Sequence, residues 1–514
     1  MSGQERTAII NGLIVDGFGR APFYGDVLVF GDRIEAVIPR GGSPVSGYDA
    51  KVVDVSGLVV SPGFVDVHCH SDLTRFAYPG SESRITQGIT TEVVGNCGMS
   101  AAPVGDDNAA FAALIATIDV TPGSPRHWST VPEWLEALDR AASATNVAAL
   151  VGHGSARHAA LGKAQAEEPD IGAIADEVRH ALEAGCVGAS LGLMYAPGES
   201  ASPQELAAVG EEVARAGGLL AAHMRSYLAA DLGRSVGELV AAGSGARLQV
   251  SHLRATSAGG QFADTIAQID DLRQSVDIAA DCYPYVAGHA TLLQLLPSSV
   301  RAAGPDGAMA FRRKPSILAA MLEDAGWRPE QVIVMKASHT PEAVGNSPQA
   351  HADPWGWLAQ LLIDNDGLVD VAVESGHWAD VDLALQQGWV SIGSDGTALS
   401  EMHQSSAPHP RSWGAFPAAF KRMRSSGVSL PSAVRRMSVD SAERVRIPSG
   451  LLAGNPADIT VFAELELDGQ ASFSAPSRRA VGVSHVFVNG EAVVVDGGTT
   501  DARPGRLRKA GASS

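Results

Sequence analysis

The stretch "FVDVHCHSDL", residues 64–73, joins an apolar run to two histidines that are separated by one residue. Its first half, Phe64 to Val67, predicts a buried β-strand, and the strand period of two places His68 and His70 on the same side. Two polar residues at a strand end can be satisfied by backbone groups. Two imidazoles can equally form half of a metal site. The pair alone does not distinguish these interpretations, and further ligands elsewhere in the chain would favour the metal site.

Apolar, β-rich runs recur through the middle of the chain and alternate with helical patterns rich in Ala, Glu and Leu. The runs lie near residues 63, 90, 146, 185, 218, 246, 276 and 389. Strands of this kind with helices between them are typical of a parallel sheet that is covered on both faces. Eight of them in roughly 350 residues predict an α/β fold, a (β/α)8 TIM-like barrel with insertions. A doubly wound sheet is the alternative, but no Gly-x-Gly-x-x-Gly follows the first strand.

Both ends of the chain differ from this middle part, because they consist of short strands separated by turn residues. Residues 1–61 and 441–514 therefore predict one small β-sandwich domain built from both termini, with a flexible tail after Arg503. Residues 62–440 form the barrel. A long gap precedes the eighth strand, and long insertions in barrels lie on the active-site face. We expect a partly helical insertion at about 288–380 that covers the barrel mouth.

Composition restricts the class of protein further. The chain has 514 residues, of which 45% are hydrophobic and 18% charged, with a net charge of −19. Such an acidic chain lacks the basic surface that a nucleic-acid partner requires. The spacing of its four cysteines fits no disulfide framework, and no apolar window is long enough for a membrane span. We therefore expect a cytoplasmic protein, a monomer or small homo-oligomer, that acts on a small molecule.

Potential metal ligands fall at the ends of the predicted strands, where barrels place their functional side chains. They are His68 and His70 after the first strand, Cys97 after the second, His223 and His252 after the fifth and sixth, and Asp395 after the eighth. Taken singly, each histidine or aspartate is more often a polar residue with ordinary hydrogen-bond partners than a metal ligand. A single cysteine is more often a small buried hydrophobic residue. Imidazole, thiolate and carboxylate are the usual zinc ligands. Their concurrence predicts a metal site that holds one ion or a thiolate-bridged pair.

These residues and their surroundings resemble the D-aminoacylases, or N-acyl-D-amino-acid deacylases, of the amidohydrolase superfamily. The resemblance covers nearly the whole chain and rests on the motifs "PGFVDVHCHSD", "VVGNCGMS", "GLMYAPG", "HMR", "SHLRA", "DCYPY" and "GSDG". The His-x-His pair is shared by the superfamily, whereas the cysteine and "DCYPY" are specific to this branch. Many members instead use a carboxylated lysine from the fourth strand. That strand, "GCVGASLGL", has no lysine, which favours a bridging role for Cys97 and argues against a hydantoinase or dihydroorotase.

The resemblance implies zinc-dependent hydrolysis of the amide bond of N-acyl-D-amino acids. One zinc ion would be held tightly by Cys97, His223 and His252. The two histidines of the first strand would bind a second, weaker ion or steady the oxyanion. Asp395 would act as catalytic base and then as acid, because one carboxylate can accept a proton from water and pass it to the leaving amine. The alternatives are a related amidohydrolase of cyclic amides or D-residue dipeptides, and a non-catalytic homologue that a metal stabilises.

Substrate binding requires a cation and hydroxyl donors for the α-carboxylate of an N-acyl amino acid. Arg254 lies two residues after the sixth-strand histidine, where D-aminoacylases usually have lysine, and is expected to clamp this carboxylate. By resemblance, Tyr195 and Tyr283 would hydrogen-bond it. Arg411 either binds substrate or fixes the loop after the eighth strand, and His289 either lines the side-chain pocket or is a loop residue. No further basic cluster accompanies His289, which favours a neutral or hydrophobic side chain over an acidic one.

Overall fold

The computed structural model describes residues 6–41, 49–106, 108–115, 127–162, 169–243, 245–256, 261–301, 303–402 and 407–511. Five short strands begin the chain: β1 (Arg6–Ile14), β2 (Phe23–Phe30), β3 (Arg33–Pro39), β4 (Lys51–Asp54) and β5 (Val59–Pro62). Strand β1 is their centre, because it pairs antiparallel with β2 and parallel with β4 and β5.

The next seven strands run parallel and pair in the order that they have in the sequence. They are β6 (Phe64–Asp66), β7 (Ile89–Val94), β8 (Asn146–Gly152), β9 (Gly188–Gly192), β10 (Leu219–His223), β11 (Arg247–Val250) and β12 (Ile278–Cys282). Apart from Arg247, every residue of these strands is buried. This burial on both faces explains why the runs are continuously apolar instead of alternating.

Helices connect these strands and cover the outside of the sheet. They are α1 (Thr74–Ala77), α2 (Glu82–Ile85), α3 (Asn108–Ile115), α4 (Val131–Arg140), α5 (His153–Leu161), α6 (Ile171–Ala184), α7 (Pro203–Arg215), α8 (Leu232–Ala242) and α9 (Gln261–Leu272). Helix α7 illustrates the local signals: Ser202 caps its start, Pro203 occupies its first position, and Leu206, Val209 and Val213 form its buried stripe. In the described part of the chain, no helix combines the length and apolar character needed to cross a membrane.

An insertion with its own hydrophobic core follows β12. Its elements are β13 (Ala287–Thr291), α10 (Ser298–Arg301), α11 (Gly304–Met309), α12 (Pro315–Asp324), β14 (Val332–Ala337), α13 (Pro354–Asp364) and β15 (Val369–Glu374). The three strands form an antiparallel sheet in the order β13-β15-β14. The segment expected to be partly helical therefore also contains a sheet that local sequence patterns did not indicate.

The eighth barrel strand follows this insertion and closes the barrel at its mouth. Helix α14 (Trp378–Gln386) leads into β16 (Val390–Ile392), which pairs parallel with β12. Just beyond the strand ends, the Asp395 amide donates to the His68 carbonyl and the His70 amide donates to the Gly396 carbonyl, both at 2.8 Å. These two bonds join the first strand to the last and set the predicted histidines and Asp395 side by side. The predicted eight-stranded barrel is confirmed.

The C-terminal part completes the sheet that the N-terminal strands begin. Its elements are α15 (Arg411–Ser425), α16 (Leu430–Met437), α17 (Val439–Arg444), β17 (Ile459–Phe462), β18 (Val483–Val488), β19 (Glu491–Val495) and β20 (Gly498–Thr499). Strand β17 pairs antiparallel with β5, so strands from both termini form one nine-stranded sheet. The sheet encloses a common core that includes Ile9, Val27, Ile34, Ile459 and Phe487. The β-structure expected from both termini is thus present as one continuous sheet.

The tail that was expected to be flexible after Arg503 packs against the barrel over its described part, up to Gly511. The Val147 amide donates to the Arg506 carbonyl at 3.0 Å, and the Arg508 amide donates to the Val147 carbonyl at 2.6 Å. The Arg508 guanidinium also pairs with Asp458 at 2.9 Å. The basic composition of this segment indicated a free end, but its charges have acidic partners that are distant in sequence.

Candidate active site and metal centre

All of the potential metal ligands that the sequence indicates lie together, buried at the barrel mouth. They form two groups, His68, His70, Cys97 and Asp395, and Cys97, His223 and His252. Within each group the ligand atoms lie within 4.8 Å of one another. That spacing suits ligands arranged around an ion at roughly 2.0–2.3 Å from each. The Cys97 sulfur belongs to both groups, so it is the atom that can join two metal positions.

The histidines of the first strand reach this site from a loop. Strand β6 ends at Asp66, two residues before His68. The two imidazole rings nevertheless face the same carboxylate, because Asp395 Oδ1 lies 3.6 Å from His68 Nε2 and 3.0 Å from His70 Nε2. The hydrogen bonds between the two loops, rather than strand alternation, therefore align this pair.

The second group is equally compact. Cys97 Sγ lies 3.4 Å from His68 Nε2 and 3.5 Å from His252 Nε2. His252 Nε2 lies 2.9 Å from His223 Nδ1. Three imidazoles therefore point their nitrogens at one sulfur or at each other. This arrangement is typical of side chains that share metal ions, and the donor set fits zinc.

Three of these residues adopt a backbone conformation that side chains usually avoid. The φ angles of Cys97, His252 and Asp395 are 54°, 35° and 51°. Non-glycine residues in this left-handed region are strained and persist where the surroundings impose the conformation. Gly98 shows how tightly the loop is held, since its amide donates to Ser190 Oγ at 2.9 Å. The strained residues thus supply ligand atoms to both groups, Asp395 to the first, His252 to the second and Cys97 to both.

The electrostatics of the site favour the metal-binding protonation state at three of the ligands, Cys97, His223 and Asp395. Burial raises the pKa of the Cys97 thiol, but the charge of His68 and hydrogen bonds from the histidines hold it well below its usual value. Burial lowers the pKa of His223 to about 4, so this ring is neutral at pH 7. Burial also raises the pKa of Asp395, but Arg411, whose Nη1 lies 2.6 Å from its Oδ2, outweighs this and holds it well below the usual value. Thiolate, neutral imidazole and carboxylate are the forms that bind metal.

Asp281, at the end of β12, supports two of the ligands from behind. Its Oδ1 accepts a hydrogen bond from the His252 amide at 2.6 Å and lies 3.1 Å from His68 Nδ1. Its Oδ2 accepts from Gln249 Nε2 at 3.0 Å. A carboxylate behind a metal-binding imidazole fixes the ring and raises its basicity. The sequence analysis did not single out this residue. Its position as the first residue of "DCYPY", at the end of a barrel strand, could have indicated it.

We expect Asp281→Asn to lower zinc affinity about 10- to 100-fold, because the amide still accepts a hydrogen bond but no longer carries the negative charge beside His68. The measurement is a zinc titration against a competing chelator. Asp277→Asn is the matched control, since Asp277 precedes the same strand and pairs with Arg444 at its opposite end. Unchanged zinc affinity in Asp281→Asn would show that the carboxylate only supports the backbone.

The predicted substrate-binding residues border the metal ligands. Arg254 Nη1 donates to Tyr283 Oη at 2.6 Å. The Arg411 guanidinium lies 5.2 Å from the centre of the Tyr283 ring. The Tyr195 ring lies 4.5 Å from the His223 ring. Two cations and two phenols therefore surround the same end of the site.

His289 reaches this end from the insertion rather than from a barrel loop. It lies in β13. Burial and the charge of Arg411 together lower its pKa to about 3, against the opposing effect of Asp395. His289 is thus a neutral residue close to the charged centre, and the insertion contributes to the wall of the site.

Comparison with known proteins agrees with this geometry. Residues 51–233 match the Amidohydrolase family. The chain is 31% identical to N-acyl-D-glutamate deacylase of Alcaligenes xylosoxydans xylosoxydans over 99% of this chain and 98% of that protein. It is 29% identical to D-aminoacylase of the same organism, over 97% and 96% of the two chains. The crystal structure of N-acyl-D-glutamate deacylase from Bordetella bronchiseptica, complexed with zinc and a phosphonate mimic of the tetrahedral intermediate, matches with a TM-score of 0.82 at 30% identity, over 99% of this chain and 100% of that one.

An eight-stranded parallel barrel with histidine, cysteine and aspartate side chains at its mouth defines an amidohydrolase. The relatives are deacylases, which places the chain among the hydrolases of linear amide bonds. The chain belongs to the N-acyl-D-amino-acid deacylase, or D-aminoacylase, family, because the identity extends over nearly the full length of both chains.

Proposed function

We propose that this protein hydrolyses the amide bond of N-acyl-D-amino acids to a carboxylate and a free D-amino acid, with zinc as its cofactor. The observation that carries the proposal is the double contact of Asp395. One carboxylate oxygen lies 3.0 Å from His70 Nε2 on the metal side, and the other lies 2.6 Å from Arg411 Nη1 on the substrate side. In this proposal Asp395 is the proton-transferring group, and its contacts with His70 and Arg411 support that role.

One tightly held ion and one weaker ion fit the two ligand groups. We assign the tight position to Cys97, His223 and His252, where His223 is already neutral. At the other position burial lowers the pKa of His70, but the hydrogen bond to Asp395 raises it to about 9. A metal there must displace a proton, which weakens binding at neutral pH. Zinc in these positions supplies Lewis acidity, which acidifies water and polarises an acyl carbonyl.

Asp395 moves the proton in this proposal. Arg411 holds it ionised and fixes its orientation, so it accepts a proton from the attacking water. The protonated carboxyl group then gives this proton to the amine as the C–N bond breaks. A single carboxylate suits both steps because the amine needs a proton only after the water has lost one.

The α-carboxylate of the substrate has a binding partner in Arg254. Its guanidinium is held by Tyr283 and packs 5.9 Å from the centre of the Tyr227 ring, so its position is fixed. A planar guanidinium binds a carboxylate through two parallel hydrogen bonds, which a lysine cannot form. Tyr195 borders the same space and supplies a hydroxyl group. A cation at a fixed distance from the metal ligands favours acyl amino acids over neutral or cyclic amides.

A substrate screen tests this function. We expect the zinc-loaded protein to release acetate from N-acetyl-D-amino acids at least about 100-fold faster than from their L-enantiomers. With two substituents of the α-carbon fixed by the carboxylate clamp and the metal, the side chain of the L-enantiomer would point where the D-enantiomer has its hydrogen, and the wall of the site would oppose it. Dihydrouracil and D-leucyl-D-leucine serve as comparison substrates for cyclic amides and dipeptides. Equal rates on both enantiomers would contradict the proposal. Bound zinc without turnover of any acyl-D-amino acid or D-peptide would favour the non-catalytic homologue.

A further inference from the structure

The sheet of the insertion has two chemically different faces. On its central strand β15, the side chains of Val369, Val371 and Val373 belong to the core of the insertion. Because side chains alternate along a strand, Asp370 and Ala372 point to the opposite face. The insertion helices therefore cover one face, and the other carries polar groups.

Two neighbouring strands add His289 and Lys336 to this polar face. His289 stands opposite Ala372, and Lys336 stands opposite Asp370. Directly opposed residues of an antiparallel pair share a face. Regular alternation would put Lys336 on the same face as Val334, which belongs to the core of the insertion. A register shift between Val334 and Lys336 moves the lysine to the opposite, polar face.

Several contacts turn this face toward the barrel mouth. His409 Nε2 donates to the Ala287 carbonyl at the start of β13 at 3.1 Å, and the Ala407 amide donates to the Met335 carbonyl next to Lys336 at 3.0 Å. Both donors belong to the segment that leads into Arg411. A Cβ on Gly288 would lie 2.6 Å from Arg254 Nη1, so β13 lies directly against the proposed carboxylate clamp.

Lys336 is consequently a cation of the site, although it is distant from the barrel strands in sequence. Its side chain is 9% exposed. His289 is influenced by the charges of Arg411, Asp395 and Lys336 together, so the lysine lies within electrostatic range of the catalytic end. Burial raises the pKa of Asp370 to about 6, against the opposing effect of Lys336. An acidic neighbour of this kind keeps a buried ammonium charged.

The site has more cationic side chains than are needed to bind a substrate with a single carboxylate. Arg254 is available for the α-carboxylate, and Arg411 is engaged by Asp395. Lys336 is a third positive group, on the polar face of the insertion sheet. An ammonium has three donors, so it can keep its acidic neighbour and still bind a second carboxylate.

We propose that Lys336 binds the side-chain carboxylate of the substrate, so that the protein prefers N-acyl-D-glutamate or N-acyl-D-aspartate over substrates with neutral side chains. This inference rests on the proposed function and names its substrate class. It replaces the expectation of a neutral side chain, which followed from the lack of basic residues next to His289 in the sequence. The basic residue comes instead from a strand that only the folded sheet brings near.

The test compares kcat/KM for N-acetyl-D-glutamate, N-acetyl-D-aspartate and N-acetyl-D-leucine in the zinc-loaded protein and in Lys336→Met. We expect the unmodified protein to prefer one acidic substrate, and Lys336→Met to lose about 30- to 100-fold on it, mainly through KM, with less than about 3-fold change for N-acetyl-D-leucine. Lys314→Met is the matched control, since Lys314 is an exposed lysine of the same insertion. Lys336→Arg should restore part of the preference.

The outcomes separate this inference from the function on which it rests. An unmodified protein that hydrolyses N-acetyl-D-leucine as fast as both acidic substrates would overturn the inference alone, without any variant. Equal losses on acidic and neutral substrates in Lys336→Met would assign the lysine a structural role and would also overturn it. Failure of the unmodified protein to hydrolyse any acyl-D-amino acid would overturn the proposed function and the inference with it.

Discussion

Replacing Asp395 by asparagine is expected to lower kcat for an N-acetyl-D-amino acid by about 1,000-fold or more, because the amide cannot accept a proton from water or donate one to the amine. General acid–base catalysis by a positioned group contributes about 10²- to 10⁴-fold. In the proposed mechanism one group serves in two steps, so the loss should lie toward the upper end. The measurement is a steady-state rate with zinc supplied in excess.

Zinc content distinguishes a catalytic loss from a binding loss in this variant. Asparagine keeps the shape and one acceptor for Arg411, so the ion at Cys97, His223 and His252 should remain. Asp382→Asn is the control, because Asp382 pairs with Arg422 on the outer helix α14 and lies 42% exposed. A variant Asp395→Asn that keeps most of the wild-type kcat would contradict the assigned role.

Cys97→Ser is expected to remove zinc from both proposed positions, with at least a tenfold fall in zinc content after dialysis at pH 7.5 and a rate loss of about 1,000-fold or more. Cys97 Sγ is the only ligand atom shared by the two groups that the described residues form. Serine fits the same space and the same φ angle, but its hydroxyl stays protonated near neutral pH. Metal analysis of the purified variant is the measurement.

Cys186→Ser provides the matched control for this substitution. Cys186 is buried away from both ligand groups, and burial raises its pKa to about 12. Its replacement should leave the zinc content unchanged. Loss of only one ion in Cys97→Ser would show that the cysteine serves one position and that the second ion is held by the remaining residues alone.

The barrel could be predicted because its strands leave a local signal. Strands buried on both faces are continuously apolar, and all eight of them lie where such runs occur. The convergence of His68, Cys97 and Asp395 followed from topology alone, since parallel strands place their carboxyl ends at one rim. Even the short β6, which ends at Asp66, did not disturb this prediction, because backbone hydrogen bonds between His68 and Asp395 and between His70 and Gly396 hold the two histidines at the rim.

The surroundings of the site could not be predicted in the same way. The contribution of Lys336 depends on antiparallel pairing across a long insertion and on a register shift, and neither leaves a periodic pattern in the sequence. An aspartate in a sequence is most often a solvent-exposed carboxylate, so its residue type did not single out Asp281. Only its contacts in the folded protein show that it supports two histidines. The tail around Arg508 was misjudged because the partner Asp458 lies in another element.

The pairing of β5 with β17 has a consequence for the synthesis of the chain. The ribosome delivers Val59–Pro62 long before Ile459–Phe462, so β5 pairs with β1 on one side and keeps its other edge unpaired while the whole barrel is synthesised. Pairings between such distant segments close slowly, since a large loop must be ordered first. A nascent chain that stops before residue 459 thus presents an open template for self-association. Synthesis of Ile459–Phe462 and its pairing with β5 cover this edge, so this late strand protects the folded chain from self-association.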